Sequence, residues 1–183
     1  MSKLKILAFS GSLRKASSNS GLIRAAAELA GDEMDIVLID ISAFPLYNQD
    51  MEAAFPPELA NLKKQIREAD GIIIATPEFN RSIPGALKNM FDWTSRPYGD
   101  NAWDNKRVVT MGASPGAIGT ALAQYHLKQI LLYLNARVQG QPEFYVSNSS
   151  DKFDKEGNLT DEKTKEYIKK LLESFKQHIA LQT

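Results

Sequence analysis

Short apolar runs alternate with amphipathic helical segments along this 183-residue chain, and that alternation constrains the fold more than any other feature. The clearest run is GIIIA at residues 71–75, and an earlier one stops at Phe9, just before Ser10 and Gly11. Nearly continuous apolar runs of this length are typical of strands that are buried on both faces. The predicted strands cover residues 4–9, 35–41, 71–75, 107–112 and 137–146.

Helical patterns follow each of these strands. The predicted helices cover residues 20–30, a segment that opens at Pro56 and Pro57, then 85–93, 119–136 and 161–180, with a long loop at 42–55. Parallel neighbours need right-handed crossovers, so this alternation predicts a parallel sheet with helices on both faces. Five strands fit the doubly wound order 2-1-3-4-5 better than a six-stranded Rossmann sheet. We therefore predict an α/β doubly wound fold in which residues 1–183 form a single domain.

Charge and composition exclude several classes of protein. Lys plus Arg and Asp plus Glu each number 22, so no net field attracts nucleic acid or an anionic membrane. The chain has no cysteine, and its two histidines, His126 and His178, lack partners at ligand spacing, so we expect no metal site and assign redox chemistry to a cofactor. The N-terminal apolar run is too short for a signal peptide, and we expect a cytoplasmic protein without a membrane span.

The loop after the first predicted strand, SGSLRKASSN, is rich in hydroxyl groups and carries Arg14 just before a helix. Backbone N–H groups, short polar side chains and the positive end of a helix dipole together form an anion site. The alternative is an ordinary polar loop that only caps its helix. No G-x-x-x-x-G-K-[ST] or G-x-G-x-x-G motif is present, which favours a phosphate monoester over a nucleoside triphosphate or a dinucleotide.

The loop after the third predicted strand begins TPEFNRSIPG, with Pro77 and Pro84 bracketing polar residues. Such a rigid loop can present backbone N–H and C=O groups to the edge of a flat polar ring. Ser82 is placed where a helix N-cap is expected. A cap and turn without any ligand is the alternative.

Three segments together make a specific resemblance: GSLRKASSN at 11–19, TPEFNRSIPGALKNMFDW at 76–93 and ASPGAIG at 113–119. The chain resembles the NADPH-dependent FMN reductase family, which includes bacterial chromate and quinone reductases and azoreductases. The resemblance implies a flavodoxin-like fold with bound FMN and with NADPH or NADH as hydride donor. It implies phosphate contacts from Ser12, Arg14, Ser18 and Asn19, and ring contacts from residues 77–80 and Ser114. The full predicted cofactor-binding set is Ser10, Ser12, Arg14, Ser17, Ser18, Asn19, Pro77, Glu78, Phe79, Asn80, Ser82, Ser114 and Gly116.

One position departs from the family pattern, because Phe79 stands where the family usually has Tyr. A contact through that hydroxyl is therefore absent, whereas contacts through the backbone are expected to survive.

The implied activity is an FMN-dependent NAD(P)H oxidoreductase that reduces quinones and similar small acceptors, with flavins, azo dyes and chromate as further candidates. FMN carries the redox step, so no catalytic side chain is predicted and ping-pong kinetics are expected. The alternative is a flavodoxin-type electron carrier that serves a protein partner. The neutral charge favours the enzyme, because such carriers tend to be strongly acidic.

The predicted helix at 119–136 has little polar surface, which indicates burial on more than one side. We expect one side to cover the sheet and the other to meet a second subunit in a dimer or tetramer; the alternative is cover by loops of the same chain. Trp93, Tyr98 and Trp103 allow two interpretations, stacking on nicotinamide or quinone, or packing at a surface or subunit contact.

Overall fold

The apolar runs of the sequence form one parallel sheet in the computed structural model, which describes residues 3–181. The strands are β1 (Leu4–Ser10), β2 (Met34–Ile39), β3 (Gly71–Ala75), β4 (Arg107–Ala113), β5 (Arg137–Val138) and β6 (Tyr145–Val146). The order is β2-β1-β3-β4-β5, with β6 also paired to β4, and the predicted order 2-1-3-4-5 is confirmed. All five residues of β3 are buried, as expected for a central strand covered on both faces.

Five α-helices cover the two faces of the sheet. They are α1 (Ser18–Ala30), α2 (Pro57–Glu68), α3 (Gly85–Thr94), α4 (Ala121–Tyr133) and α5 (Glu162–Ala180). Helices α1 and α5 pack on one face, through side chains such as Leu22 and Ile168. Helices α2, α3 and α4 pack on the other face, through Leu62, Leu87 and Leu127. The sheet therefore has a separate apolar core on each side.

The prediction of one continuous fifth strand is wrong. Residues 137–146 form two short strands, β5 and β6, joined by an irregular segment. Pro142 has no N–H to donate to a neighbouring strand, and Gly140 weakens a strand. Strand pairing is therefore interrupted between β5 and β6. The Gln139 N–H still donates to Val108 O at 2.8 Å, and β6 resumes pairing beside Gly112.

Several helix boundaries also differ from prediction. Helix α4 begins two residues later than predicted because Gly119 and Thr120 have positive φ values of 62° and 74°, which are incompatible with a helix. The N-cap of α3 is Pro84, which forms no side-chain capping bond, so the prediction that Ser82 caps this helix is wrong. The long loop at 42–55 contains a 3-10 helix, Gln49–Ala54.

The two tryptophans belong to the core. Trp93 and Trp103 are fully buried, and the Trp103 ring centroid lies 4.8 Å from that of Phe91. Neither interpretation therefore holds for these two residues, because buried rings reach neither a substrate nor a surface or subunit contact. Tyr98, in contrast, is exposed. Within residues 3–181, no helix has the length and apolar character needed to cross a membrane.

Candidate functional site

The loops that leave β1, β3 and β4 meet at the carboxyl edge of the sheet, where they enclose a cavity of about 500 Å³. In doubly wound sheets this edge, where the strand order reverses, is where ligands bind. Nine predicted site residues line the cavity: Ser12, Arg14, Ser17, Ser18, Asn19, Pro77, Glu78, Phe79 and Ser114. The structure thus brings together three loops that are far apart in the sequence.

Gly11 allows the first two loops to approach each other. A Cβ atom on this residue would lie 3.1 Å from Pro77 Cδ and 3.3 Å from Pro84 Cγ. The Gly11 N–H donates to Ala75 O at 2.8 Å, which joins the end of β1 to the end of β3. Two walls of the cavity are therefore fixed to each other at the bottom.

One end of the cavity has the features of an anion site. Helix α1 starts there, and the Ser17 hydroxyl oxygen caps it by accepting from the Ser20 N–H at 3.3 Å. The first turn contains no acidic residue, so the positive end of the helix dipole is not neutralised by the chain. Arg14 is exposed beside this end, and none of the ion pairs in residues 3–181 involves its guanidinium. We call this the phosphate end.

Asn19 lines the cavity, but its side-chain amide is hydrogen-bonded to the backbone of the protein. Its Nδ2 donates to Ala113 O at 3.1 Å, and its Oδ1 accepts from the Ala113 N–H at 2.9 Å. This two-point contact ties the start of α1 to the end of β4. Sequence reasoning assigned Asn19 to a phosphate and missed this contact, because the partner lies 94 positions away.

Ser10 is buried and does not line the cavity. Its hydroxyl accepts from the Ser20 hydroxyl at 2.9 Å and lies 3.4 Å from Ser12 O. The structure therefore places Ser10 beneath the loop, where it supports the turn.

The opposite end of the cavity is formed by residues 77–79 and by Ser114 and Pro115. Pro77 and Pro115 are rigid and apolar there, and the Phe79 ring is 57% exposed at the rim. We call this the ring end, because it offers flat apolar surface and backbone polar groups.

Glu78 lines the cavity, and its carboxylate is hydrogen-bonded to the start of α4. Its Oε2 accepts from the Ala123 N–H at 3.1 Å, in the first turn of a helix whose own N-cap forms no side-chain bond. The carboxylate therefore stabilises the positive end of that helix dipole.

Asn80, Ser82 and Gly116 do not line the cavity. Ser82 is hydrogen-bonded through its hydroxyl to His126 Nδ1 at 2.8 Å, and the Gly116 N–H donates to the Ser114 hydroxyl oxygen at 3.1 Å. These residues fix the two ring-end loops instead of facing the cavity. Ser149, which follows β6, does line it, and no motif of the sequence pointed to that residue.

A buried polar cluster supports the loop after β4. The Gln124 side chain accepts from the Thr110 hydroxyl at 3.0 Å and donates to the Thr120 hydroxyl and to Phe144 O at 3.0 and 2.9 Å. A Cβ atom on Gly112 would lie 2.1 Å from the Thr120 hydroxyl oxygen, so only glycine fits beside this cluster. The ring end is therefore held by a rigid network.

Two groups with perturbed pKa values lie outside the cavity. Burial raises the pKa of Tyr145, and a hydrogen bond from Lys128 lowers the pKa of Glu143. A larger hollow of about 620 Å³ lies beside these groups, between β6 and α5. It is away from the strand ends that meet at the switch point, so we take the 500 Å³ cavity as the site. Within residues 3–181, no cluster of three or more His, Asp or Glu side chains could hold a metal ion.

A sheet of this order, with a phosphate end and a ring end at its switch point, defines a flavodoxin-like α/β protein built for a phosphorylated ring compound. The comparison with known proteins is more specific. The chain belongs to the NADPH-dependent FMN reductase family, whose model matches residues 4–151.

Individual relatives cover nearly the whole chain. A 2-hydroxy-1,4-benzoquinone reductase from Burkholderia sp is 42% identical over 172 residues, which is 94% of each protein. An NAD(P)H-dependent FMN reductase from Pseudomonas aeruginosa is 43% identical over 94% of this chain and 93% of its own. The solved structure of FerB, a flavoenzyme NAD(P)H:(acceptor) oxidoreductase from Paracoccus denitrificans, is 38% identical and superposes with a TM-score of 0.89 over 96% of this chain and 97% of FerB.

Proposed function

We propose that this protein is an FMN-dependent NAD(P)H oxidoreductase that reduces quinones. The observation that carries the proposal is the cavity itself, which has an anion site at one end and a flat, partly apolar wall at the other. The family and the quinone-reducing relatives support the same activity.

The residues of the cavity fit FMN. Hydroxyl groups of Ser12, Ser17 and Ser18, the first turn of α1 and the Arg14 guanidinium would hold its phosphate. The backbone of residues 77–79 and of Ser114 would meet the ring edge. When bound, FMN supplies a ring that accepts a hydride and passes electrons on.

The chain itself binds and orients the reactants. The rigid loops at the ring end are fixed by Glu78, Gln124 and Asn19, and they hold one wall of the cavity in place. Donor and acceptor then need the same open side of the cavity, so we expect them to bind in turn. The proposed kinetic signature is a set of parallel lines in double-reciprocal plots.

The proposal extends to acceptors other than quinones. The Phe79 ring and the proline surfaces at the rim suit flat aromatic molecules, which include flavins and azo dyes. Chromate is the remaining candidate acceptor. Relative kcat/KM values for a benzoquinone, FMN, an azo dye and chromate would rank them, and we expect the quinone to be the best substrate.

We further propose that the protein forms a dimer or tetramer through residues 119–136. The face of α4 that points away from the sheet carries large apolar side chains that are exposed: Leu122, Tyr125, Leu132 and Tyr133. We call this set the α4 face. Exposed large apolar side chains on one face of a helix favour protein association.

We also propose that residues 1–183 act as a single FMN-binding domain and that the protein works in the cytoplasm. The absence of cysteine is compatible with a reducing compartment.

An absorbance experiment tests the proposed function. We expect the purified protein to bind FMN with a visible flavin spectrum, NADPH or NADH to bleach it without oxygen, and a benzoquinone to restore it. A flavin spectrum that neither donor bleaches would indicate an electron carrier, and a protein that does not bind FMN would contradict the proposal.

A further inference from the structure

Arg81 occupies a backbone conformation that suits another residue better. Residues 79–82 form a tight two-residue turn, with hydrogen bonds from the Phe79 N–H to Ser82 O at 3.0 Å and from the Ser82 N–H to Phe79 O at 2.9 Å. Both central residues have positive φ, 50° at Asn80 and 65° at Arg81, which is the signature of a type I′ turn. Asn-Gly is the favoured pair there, so arginine at the second position is strained. Strain of this kind points to a role for the side chain.

The Arg81 guanidinium is free to bind something else. It is 66% exposed, and its NH1 lies 3.3 Å from Glu78 Oε1. The other Glu78 oxygen is satisfied by the Ala123 N–H, so the carboxylate is itself fixed and orients the arginine. A guanidinium has five N–H donors, and this one contact leaves most of them available.

The position of Arg81 relative to the cavity suggests what it binds. Arg14 and Lys15 follow β1 at the phosphate end, whereas Arg81 is the only cationic residue in the ring-end loop at 76–84. Its partner Glu78 and its near neighbour Phe79 both line the cavity. Arg81 is therefore the cation that the ring-end loop can offer to a phosphate, whereas Arg14 belongs to the phosphate end.

We propose that Arg81 binds a phosphate group of the nicotinamide donor and so determines the affinity for NAD(P)H. This inference rests on the proposed function, because a hydride donor must bring its nicotinamide to the ring end. Its pyrophosphate, and in NADPH the 2′-phosphate, then extend past the rim where the guanidinium lies. Arginine suits phosphate because it forms paired, charge-assisted hydrogen bonds. A neutral quinone makes no use of this charge.

Three variants test the inference. Arg81→Asn removes the charge and keeps a residue that tolerates positive φ, so we expect its melting temperature to be at or above that of the wild type. Arg81→Lys keeps the charge. Lys64→Gln removes a positive charge from the exposed side of α2, far from the cavity in the fold, and controls for net charge.

For Arg81→Asn we expect KM for NADPH or for both donors to rise about three- to tenfold, as for the loss of an exposed charge-assisted contact. The KM for quinone and the dissociation constant of FMN should stay within about twofold. Arg81→Lys should recover most of the donor affinity, and Lys64→Gln should match the wild type. Calorimetric titration of the FMN-loaded protein with the redox-inactive analogue tetrahydro-NADPH gives the same comparison without turnover. Added salt should reduce the difference between wild type and Arg81→Asn.

The outcomes separate this inference from the proposed function. Equal losses with NADH and NADPH assign the contact to the pyrophosphate, and a loss with NADPH alone assigns it to the 2′-phosphate. A wild type that NADPH bleaches, together with an Arg81→Asn variant whose donor affinity is unchanged, would overturn the role of Arg81 and leave the proposed function standing. A wild type that neither donor bleaches would instead contradict the proposed function.

Discussion

Arg14 is the only arginine in the loop that follows β1, and its guanidinium is exposed at the phosphate end. If this charge helps to hold the FMN phosphate, Arg14→Ala removes a charge-assisted hydrogen bond of roughly 1.5–3 kcal/mol. We therefore expect FMN to bind about ten- to a hundredfold more weakly, as measured by flavin fluorescence titration.

The stability of the apoprotein separates that effect from a folding defect. Exposed side chains without ion pairs contribute little to stability, so the Arg14→Ala apoprotein should unfold at the same urea concentration as the wild type. Arg14→Lys should retain part of the affinity. FMN affinity equal to that of the wild type would remove Arg14 from the phosphate site.

Asn19 has a different part in the same end of the cavity, because its side chain satisfies both backbone groups of Ala113. Asn19→Ala leaves a buried N–H and a buried C=O without partners, which costs about 2–4 kcal/mol. For a chain of this length we expect the melting temperature to fall by roughly 5–15 °C. FMN affinity should fall as well, because the first and third loops lose their connection.

Ser18→Ala is the matched control for Asn19→Ala. Ser18 also lines the cavity, but its hydroxyl forms no hydrogen bond within the described part of the chain that would be lost from the fold. We expect this variant to lose FMN affinity and keep its melting temperature. If Asn19→Ala instead lowered FMN affinity at an unchanged melting temperature, Asn19 would be a direct ligand and not a connection between loops.

At the scale of elements, α5 carries a pH-dependent cap. The Asp161 carboxylate accepts from the Thr164 hydroxyl at 2.6 Å and from the Thr164 N–H at 2.8 Å. These hydrogen bonds favour the charged form and lower the pKa of Asp161 below its usual value of 3.8. A lowered pKa stabilises the fold above the unfolded-state value, and that stability is lost as the pH falls through the folded-state value. The stability that this cap contributes is therefore lost below about pH 4.

Asp161→Asn tests this cap, because asparagine caps a helix about as well and does not titrate. At pH 7 we expect the free energy of unfolding, measured in urea, to be up to about 1 kcal/mol larger for the wild type than for Asp161→Asn. The difference should be smaller at pH 3, which lies below the unfolded-state pKa. A difference that is the same at both values of pH would show that the carboxylate is not held as described.

Elements defined by local patterns could be predicted from the sequence, whereas features defined by distant contacts could not. The buried run of β3 and the opening of α2 at Pro56 and Pro57 are encoded in neighbouring residues, and both are confirmed. The turn at Asn80 and Arg81 carries no Asn-Gly signal, so its positive φ values were not foreseen. Sequence patterns predict the type of an element well, because its periodicity is local. They predict poorly the contacts between elements that are distant in the sequence.

The same distinction holds for the candidate site. The loops after β1, β3 and β4 could be assigned to one cavity because parallel strands end at the same edge of the sheet. Three hydrogen bonds of the site depend on the three-dimensional structure alone: Asn19 with Ala113, Glu78 with Ala123 and Ser82 with His126. Sequence reasoning therefore identified the cavity better than it identified which side chains face into it.

At the scale of the whole molecule, α4 has one buried side and one exposed side, and the proposed association uses the exposed side. Its inner side, with Leu127 and Leu131, is fully buried against the sheet. On the opposite side Leu132 and Tyr133 are 75% and 80% exposed. A second copy that packed on this α4 face would remove a large apolar surface from water, which favours association.

We expect the wild type to be a dimer or tetramer at micromolar concentration by size exclusion with light scattering. A double variant, Leu132→Lys with Tyr133→Lys, should be a monomer, because it places two charges where apolar contacts would be buried. Its circular dichroism should match that of the wild type, since neither side chain supports the core. Tyr167→Lys, at a half-exposed tyrosine on α5, is the control and should keep the wild-type mass. A wild type that elutes as a monomer would contradict the proposed interface, and a double variant that keeps the oligomer would place the interface on another surface of the molecule.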